Sequence, residues 1–312
     1  MEDAVRCDLH VHSLCSGPVD LPVLGRFGNE CYSTPREVYD AARARGMSLV
    51  TLTDHDSIEG ALALSHLPDF FVSEEVTCLL PERRQLHLGV FDIDERQHAA
   101  IQARRRDAEA LFAYLAEERI PTAVNHLFSA LTGRRQVADL ALALRSVKLI
   151  ETRNGMMPAS TNAFARRTGQ RAGLSGVGGS DAHTLASVAR AFTIVPGARN
   201  REEFLSGLRA GLTIPAGGSG SYVRLTADVA RLFAGAYVDN ARRAVESPQA
   251  ALRFATLVAA LPLVPVLPLV TAALYADELL FGARYDRLFR NSIENGPAPR
   301  GLGLPPAAAV SR

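Results

Sequence analysis

The chain has almost no net charge: 34 Lys and Arg stand against 33 Asp and Glu over 312 residues. The two signs are interspersed, so no basic footprint steers it toward nucleic acid or an anionic membrane. Aromatic residues make up only 6%, and no platform for stacking single-stranded bases is evident. Cysteine is scarce too. Cys7, Cys15, Cys31 and Cys78 have no C-x-x-C spacing, which argues for reduced thiols in a cytosol. The opening "MEDAVRCDLH" carries acidic residues and no long apolar stretch. It lacks the plan of a signal peptide, and the expected localisation is cytoplasmic.

What is present is a globular composition, 47% hydrophobic and ample for a buried core. The length exceeds a typical domain of roughly 100–200 residues, although an α/β barrel can absorb about 200–250. One large domain plus an appendage is expected, divided at 1–215 and 216–312, with "PAGGSGS" marking the boundary and a loose Pro- and Ala-rich tail after Asn295. Within the appendage, 254–276 contains no charged residue and is long enough to cross a bilayer core of about 30 Å as a helix. Pro262, Pro265 and Pro268 interrupt it. Two readings stay open: a segment that spans or dips into a membrane, or a proline-broken apolar segment packed on the main domain or a partner.

Strand and helix patterns alternate through the first 215 residues. "VRCDLHVH" and "MSLVTLTDH" read as strands. Between them lies a helix that Thr34 caps, with Pro35 at its first position, Glu37 completing a capping box and Gly46 as its stop. "FFVSEEVTC" and "QLHLGVFDI" read as strands around "PERR", followed by one long helix through "ERQHAAIQARRRDAEALFAYLAEER". Further βα pairs run to "REEFLSGLRAG". So many units imply a largely parallel sheet, closed or nearly closed into a barrel.

The residues able to carry chemistry fall at the predicted strand ends. His10 and His12 close the first strand, Asp54 and His55 the second, and Glu75 lies in the third. His126 ends "TAVNH", Asp181 and His183 end "GVGGSDAH", and His87 sits less comfortably near a strand start. In an α/β barrel the carboxyl ends of strands converge on one mouth. Period-two alternation puts the two histidines of H-x-H on one face, and likewise Asp181 and His183. Imidazole with carboxylate suits Zn, Mn or Fe better than all-oxygen ions. Six histidines and at least two carboxylates exceed the needs of one ion, so two or three divalent ions with a bridging carboxylate are expected. Each signal alone has a plainer reading: an edge strand, a helix cap, a glycine-rich turn. Their conjunction at three strand ends favours the metal. His66 and His98 meet no such condition and read as surface or structural residues.

These motifs, "DLHVHS", "LVTLTDHDSIEGA", "FVSEEVT", the histidine of "LHLGVF", "VNHLF" and "GGSDAH", in this order over about residues 5–215, resemble the PHP (polymerase and histidinol phosphatase) superfamily of metal-dependent phosphoesterases. The resemblance implies a distorted (β/α)7 barrel, here followed by a mainly helical C-terminal extension. It implies that His10, His12, Glu75 and Asp181 hold one ion, that Glu75 bridges to a second held by His87 and His126, and that His55 and His183 serve a third. Glu75 is preferred to Glu74 by its place before the valine. One departure stands out: many members carry an aspartate where this chain has Gly17, leaving the third site short of a ligand for which Asp20, or less plausibly Cys15, could substitute.

The expected reaction is metal-dependent hydrolysis of a phosphate ester on a small phosphorylated or nucleotide-like substrate. Arg153 is the candidate phosphate contact, with a surface ion pair as the equal alternative, and Asp54 is a candidate proton donor through water. Competing readings are an exonuclease-like phosphodiesterase, which the balanced charge disfavours, and a metal-binding interaction module without turnover.

Overall fold

The computed structural model describes residues 4–19, 25, 28–80, 84–133 and 136–294. Five strands form one sheet: β2 (Ser73–Leu79), β3 (Gln85–Phe91), β4 (Thr122–Val124), β5 (Leu149–Asn154) and β6 (Ser175–Gly179), in that order. A second sheet has the order β1 (Arg6–Cys7), β7 (Ala191–Ile194), β8 (Ile214–Gly217) and is antiparallel throughout.

The expectation of a largely parallel sheet needs correction. β4, β5 and β6 run parallel, but β3 is antiparallel to both β2 and β4. β2 and β3 are neighbours in sequence joined by a short connection, and such a connection can only pair strands antiparallel. The reversal explains His87: the start of β3 lies beside the end of β2, so a residue near a strand start reaches the same end as its neighbours' carboxyl ends.

The regular ladders of the described residues do not close into a continuous barrel. "VRCDLHVH" and "MSLVTLTDH" are mostly irregular, joined to their neighbours by the single bridges Val11 to Ala182, Val50 to Phe70 and His55 to Glu75. Polar side chains have taken over the ladder's partners. The Thr53 hydroxyl accepts from the Val11 N–H at 2.9 Å and donates to the Val11 carbonyl at 3.1 Å. The buried Asp8 carboxylate accepts from the His10 and Ser180 N–H groups at 3.2 and 2.8 Å. Where side chains satisfy the backbone, the strand need not continue. Below this polar level, Leu9, Leu49, Phe71, Phe91, Leu149 and Val177 pack in one apolar cluster.

The helices follow their sequence signals closely. α1 (Pro35–Ala44) has the full capping box of Thr34 and Glu37, and Gly46 takes a left-handed φ of 82° just past its end. α2 (Glu59–Leu62) is a single turn. The one long helix expected over "ERQHAAIQARRRDAEALFAYLAEER" is instead two, α3 (Glu95–Arg104) and α4 (Ala108–Glu117). Asp107 makes the break: its backbone is extended and its carboxylate accepts the Ala110 N–H at 3.1 Å, a cap that starts a new helix. α5 (Val137–Ser146), α6 (Ala159–Arg171) and α7 (Arg201–Ala210) complete the body.

"PAGGSGS" is no free linker, since 214–217 are β8. α8 (Tyr222–Arg243), α9 (Pro248–Ala259) and α10 (Leu267–Glu294) come after it. The charge-free stretch is not one helix: α9 ends at Ala259, Leu261–Val266 is a 3-10 turn, and α10 begins at Leu267. The three prolines sit in or beside that turn, as proline's missing N–H requires. α10 packs on α6 and α8, with Tyr285 buried beside Phe128 in the main core. The tail after Asn295 lies outside the described residues.

Candidate metal centre

The site is built around Glu75, whose carboxylate is fully buried in β2. Its Oε1 lies 3.2 Å from His10 Nε2, 3.3 Å from His126 Nε2 and 3.5 Å from His87 Nδ1. Its Oε2 lies 3.2 Å from His55 Nδ1 and 3.6 Å from His12 Nε2. One carboxylate thus faces five imidazoles, divided between its two oxygens. Asp181 Oδ1 approaches His10 and His12 at 3.4 and 3.5 Å. His183 Nδ1 takes the Asp181 carbonyl at 3.0 Å, and its ring lies 4.4 Å from that of His12. All eight expected ligands are brought together. Glu74 points the other way, to His98 Nδ1 at 3.0 Å and Gln102 at 2.8 Å, because neighbours on a strand face opposite sides. His66 is exposed.

The backbone is shaped to allow this. A Cβ on Gly179 would come within 2.2 Å of His10 Cβ, so the glycine-rich "GVGG" is a strand thinned to let the His10 ring in. Asp181 and His126 hold positive φ values of 54° and 23°, a conformation with a cost for residues bearing a side chain that recurs at functional sites.

A further layer fixes the rings. His10 Nδ1 is 2.9 Å from Glu151 Oε1, and His12 Nδ1 is 3.1 Å from Ser16 Oγ. With Nδ1–H donating, Nε2 of both rings carries a lone pair into the cluster. Asn125 donates to Glu75 at 2.9 Å, and Asn154 donates to Glu151 at 2.9 Å and to Asp181 at 3.1 Å. Glu151 also accepts the His126 N–H at 2.8 Å.

The electrostatics demand positive charge. Burial raises the Glu75 carboxyl, but His10, His87 and His55 outweigh it and hold the group well below its usual range. Asp181 is held low in the same way, chiefly by His10. Burial lowers His10, yet Glu75, Asp181 and Glu151 prevail and keep its imidazole well above 6.5. His12, by contrast, is pushed down to about 3 by burial and by His183. A divalent cation would neutralise the carboxylate charge that holds the His10 imidazole up. His10 Nε2, His12 Nε2, Glu75 Oε2, His87 Nδ1 and His126 Nδ1 are buried without a hydrogen-bond partner. Such orphaned atoms are costly unless something binds them. Among the described residues, four overlapping triads have donor atoms within 4.8 Å of one another: His10, His126 and Asp181; His10, His12 and Glu75; His55, Glu75 and His87; His12, His55 and His183. The donor set fits divalent transition ions, and no cysteine joins these triads.

Two expected roles meet different surroundings. Asp54 is engaged on both oxygens by Ser13 and Ser16: from the Ser13 N–H at 2.6 Å, the Ser13 hydroxyl at 2.7 Å and the Ser16 hydroxyl at 2.9 Å. It anchors the turn that carries His12. Arg153 lies beyond a bulge between Glu151 and Arg153, which leaves Glu151 and Asn154 facing the cluster while Arg153 turns to Ser219 Oγ at 3.3 Å. Asp20 lies outside the described residues. Sequence reasoning passed over Glu151, Asn125 and Glu30. Glu151 carried a signal, an acidic residue in a strand of otherwise buried character. Glu30 carried none.

A family description, PHP-associated, matches residues 159–213, which include Asp181 and His183. No curated protein matches the chain. Among solved structures, a two-domain protein from Bacteroides vulgatus containing a predicted PHP-like metal-dependent phosphoesterase is 15% identical, covering 69% of this chain and 65% of that one, at a TM-score of 0.49. PsfC from Pseudomonas syringae is 18% identical over 69% of this chain and 92% of its own, also at 0.49. A lesion-specific endonuclease from Pyrococcus furiosus is 17% identical over 66% and 56%, at 0.46.

Proposed function

We propose that this chain is a hydrolase of the PHP superfamily that cleaves a phosphate ester of a small phosphorylated substrate, using two or three divalent transition ions. The observation that carries the reading is the buried Glu75 carboxylate shared among five imidazoles, several with orphaned ring nitrogens turned inward. His10, His12, Glu75 and Asp181 would hold one ion, Glu75 with His87 and His126 a second, and His55 with His183 a third. Such ions lower the pKa of water toward about 7 and neutralise phosphoryl oxygens. The chain's own part is preorganisation. Glu151, Ser16, Asn125 and Asn154 fix ring and carboxylate orientations, and Asp54 holds the 13–16 turn beside His12. The single bridges that link 8–12 and 50–55 to their neighbours support reading these two segments with β2–β6 as a distorted seven-stranded barrel.

The balanced charge supports a small substrate over a nucleic acid. We also read the C-terminal segment as a contact with a lipid surface, on a chain expected in the cytoplasm. Residues 261–266 are exposed at six successive positions, Leu263 at 67%. A flat protein partner covers one side of such a turn, whereas a fluid apolar medium covers all of them. The exposed Arg253 and Arg284 flank the stretch, placed for anionic headgroups.

The test is metal analysis and a phosphate-ester panel on one sample, with single-stranded DNA as a second substrate class. More than one transition ion per chain and turnover of a small ester are expected, both lost in Asp181→Ala. Full activity in that variant sinks the ligand scheme; cleavage of DNA alone transfers the reading to a nuclease.

A further inference from the structure

Gly17 stands where a carboxylate would complete the third ion site, and its backbone explains why none is there. Its φ of 79° and ψ of −157° belong to a region that side-chain-bearing residues avoid. The turn needs glycine. Past Gly17 the chain reverses: Pro18 bridges to Asn29, the Val19 N–H donates to the Gly28 carbonyl at 3.2 Å, and the Glu30 N–H donates to the Gly17 carbonyl at 3.0 Å. Glu30 is thereby returned to the position from which Gly17 departs.

Its side chain points into the cluster. Glu30 Oε2 lies 2.9 Å from His55 Nε2 and 3.9 Å from His183 Nε2. His183 spends Nδ1 on the Asp181 carbonyl, which leaves Nε2 turned to the same oxygen. His55 presents Nδ1 to Glu75 and Nε2 to Glu30, so its ring stands between two carboxylates. The His12 ring stacks on both, at 4.6 Å from His55 and 4.4 Å from His183. Two imidazole nitrogens, His55 Nε2 and His183 Nε2, and one carboxylate oxygen meet at the edge of the cluster, a donor set that suits zinc or manganese.

We propose that Glu30 is the carboxylate ligand of the third ion, with His55 and His183, brought beside Gly17 by the pairing of 17–19 with 28–30 because the turn at Gly17 cannot carry an acidic side chain. This rests on the metal-centre reading and assigns a residue to it. A plain His55–Glu30 hydrogen bond is the rival account. It explains the 2.9 Å contact but gives no reason for His183 to present its free nitrogen to the same oxygen.

The test counts ions. Full-length protein is stripped with chelator, reloaded with Mn²⁺ alone, and read by elemental analysis and calorimetric titration, with circular dichroism as the check on folding. The wild type should bind three ions, and Glu30→Gln and Glu30→Ala should bind one fewer or hold the weakest at least tenfold more loosely. Glu30→His, offering another ligand at the same place, should restore the count. An unchanged count and affinity in Glu30→Gln and Glu30→Ala overturns the assignment in favour of the hydrogen bond. A wild type that binds no ion at all fails the metal-centre reading itself, a result distinct from either.

Discussion

The strand-end mouth and the C-terminal extension break the ordinary rule of burial in opposite directions. At the mouth, His10, His12 and Glu75 are buried to 1% exposure or less; in the extension, Leu263, Leu269 and Leu280 are 67–71% exposed. Polar groups inside and large apolar groups outside are the two informative exceptions to hydrophobic burial. We read each as a place for something that compensates: a cation for the orphaned nitrogens, an apolar surface for the leucines. The two regions also touch. Glu278 of α10 accepts from Ser129 Oγ at 2.7 Å and the Ala130 N–H at 3.0 Å, in the turn just after His126. Asp228 of α8 accepts from Thr184 Oγ1 at 2.7 Å, next to His183. The extension thus braces the turns that come just after two of the site's histidines.

The comparison breaks most sharply at Glu75. Glu75→Gln keeps the shape but removes the charge that five imidazoles share, so metal content should fall by more than one ion per chain and ester hydrolysis by about a thousandfold or more. Retained turnover with retained metal would show that the polar interior is structural. Asn154→Ala and Arg153→Ala come next and pull apart. Asn154 donates to Asp181 and Glu151, so its loss should weaken metal affinity by about 10–100-fold. Arg153→Ala should leave metal content unchanged, and a large rise in KM with it would restore the phosphate contact that the sequence suggests.

Much of the mouth was legible because it depends on local geometry. H-x-H on one face and Asp181 with His183 derive from a period of two, and the capping box of α1 from four residues; that period sets Glu74 and Glu75 on opposite faces, and the family resemblance chose which of them faces inward. What escaped depends on departures from that period or on distant chain. The bulge in β5 exchanged Arg153 for Asn154, and no residue there announces it. Asp107 did announce the break between α3 and α4, as a capping residue within a charged run, yet helical periodicity on both sides masked it. Glu30 reaches His55 through the pairing of 17–19 with 28–30, and Glu278 reaches the 129–131 turn across about half of the chain. Such pairings lie beyond any window of sequence.

Smaller effects test the brace. Glu278→Ala leaves the Ser129 hydroxyl and the Ala130 N–H without their acceptor, a loss of about 1–3 kcal/mol for partly buried groups, measurable as a shift in the urea midpoint. If the extension positions His126, affinity for the second ion should fall with it. If it is only attached, stability alone should change.

The smallest effect on the reaction should come from the exposed apolar turn. Leu263 and Leu269 make no contribution to the mouth, and both stand in water at a cost of roughly 1.5–3 kcal/mol each relative to burial. Leu263→Glu with Leu269→Glu should therefore leave metal content and turnover unchanged and raise solubility. Its effect should appear in co-sedimentation with vesicles containing anionic lipid: the wild type pellets and the double variant remains in the supernatant. The same result with neutral vesicles would assign the attraction to the leucines alone, whereas loss only with anionic vesicles would give Arg253 and Arg284 their share. A wild type that stays soluble with every vesicle but elutes as a dimer, which the double variant abolishes, would make the compensating surface a second copy of the chain.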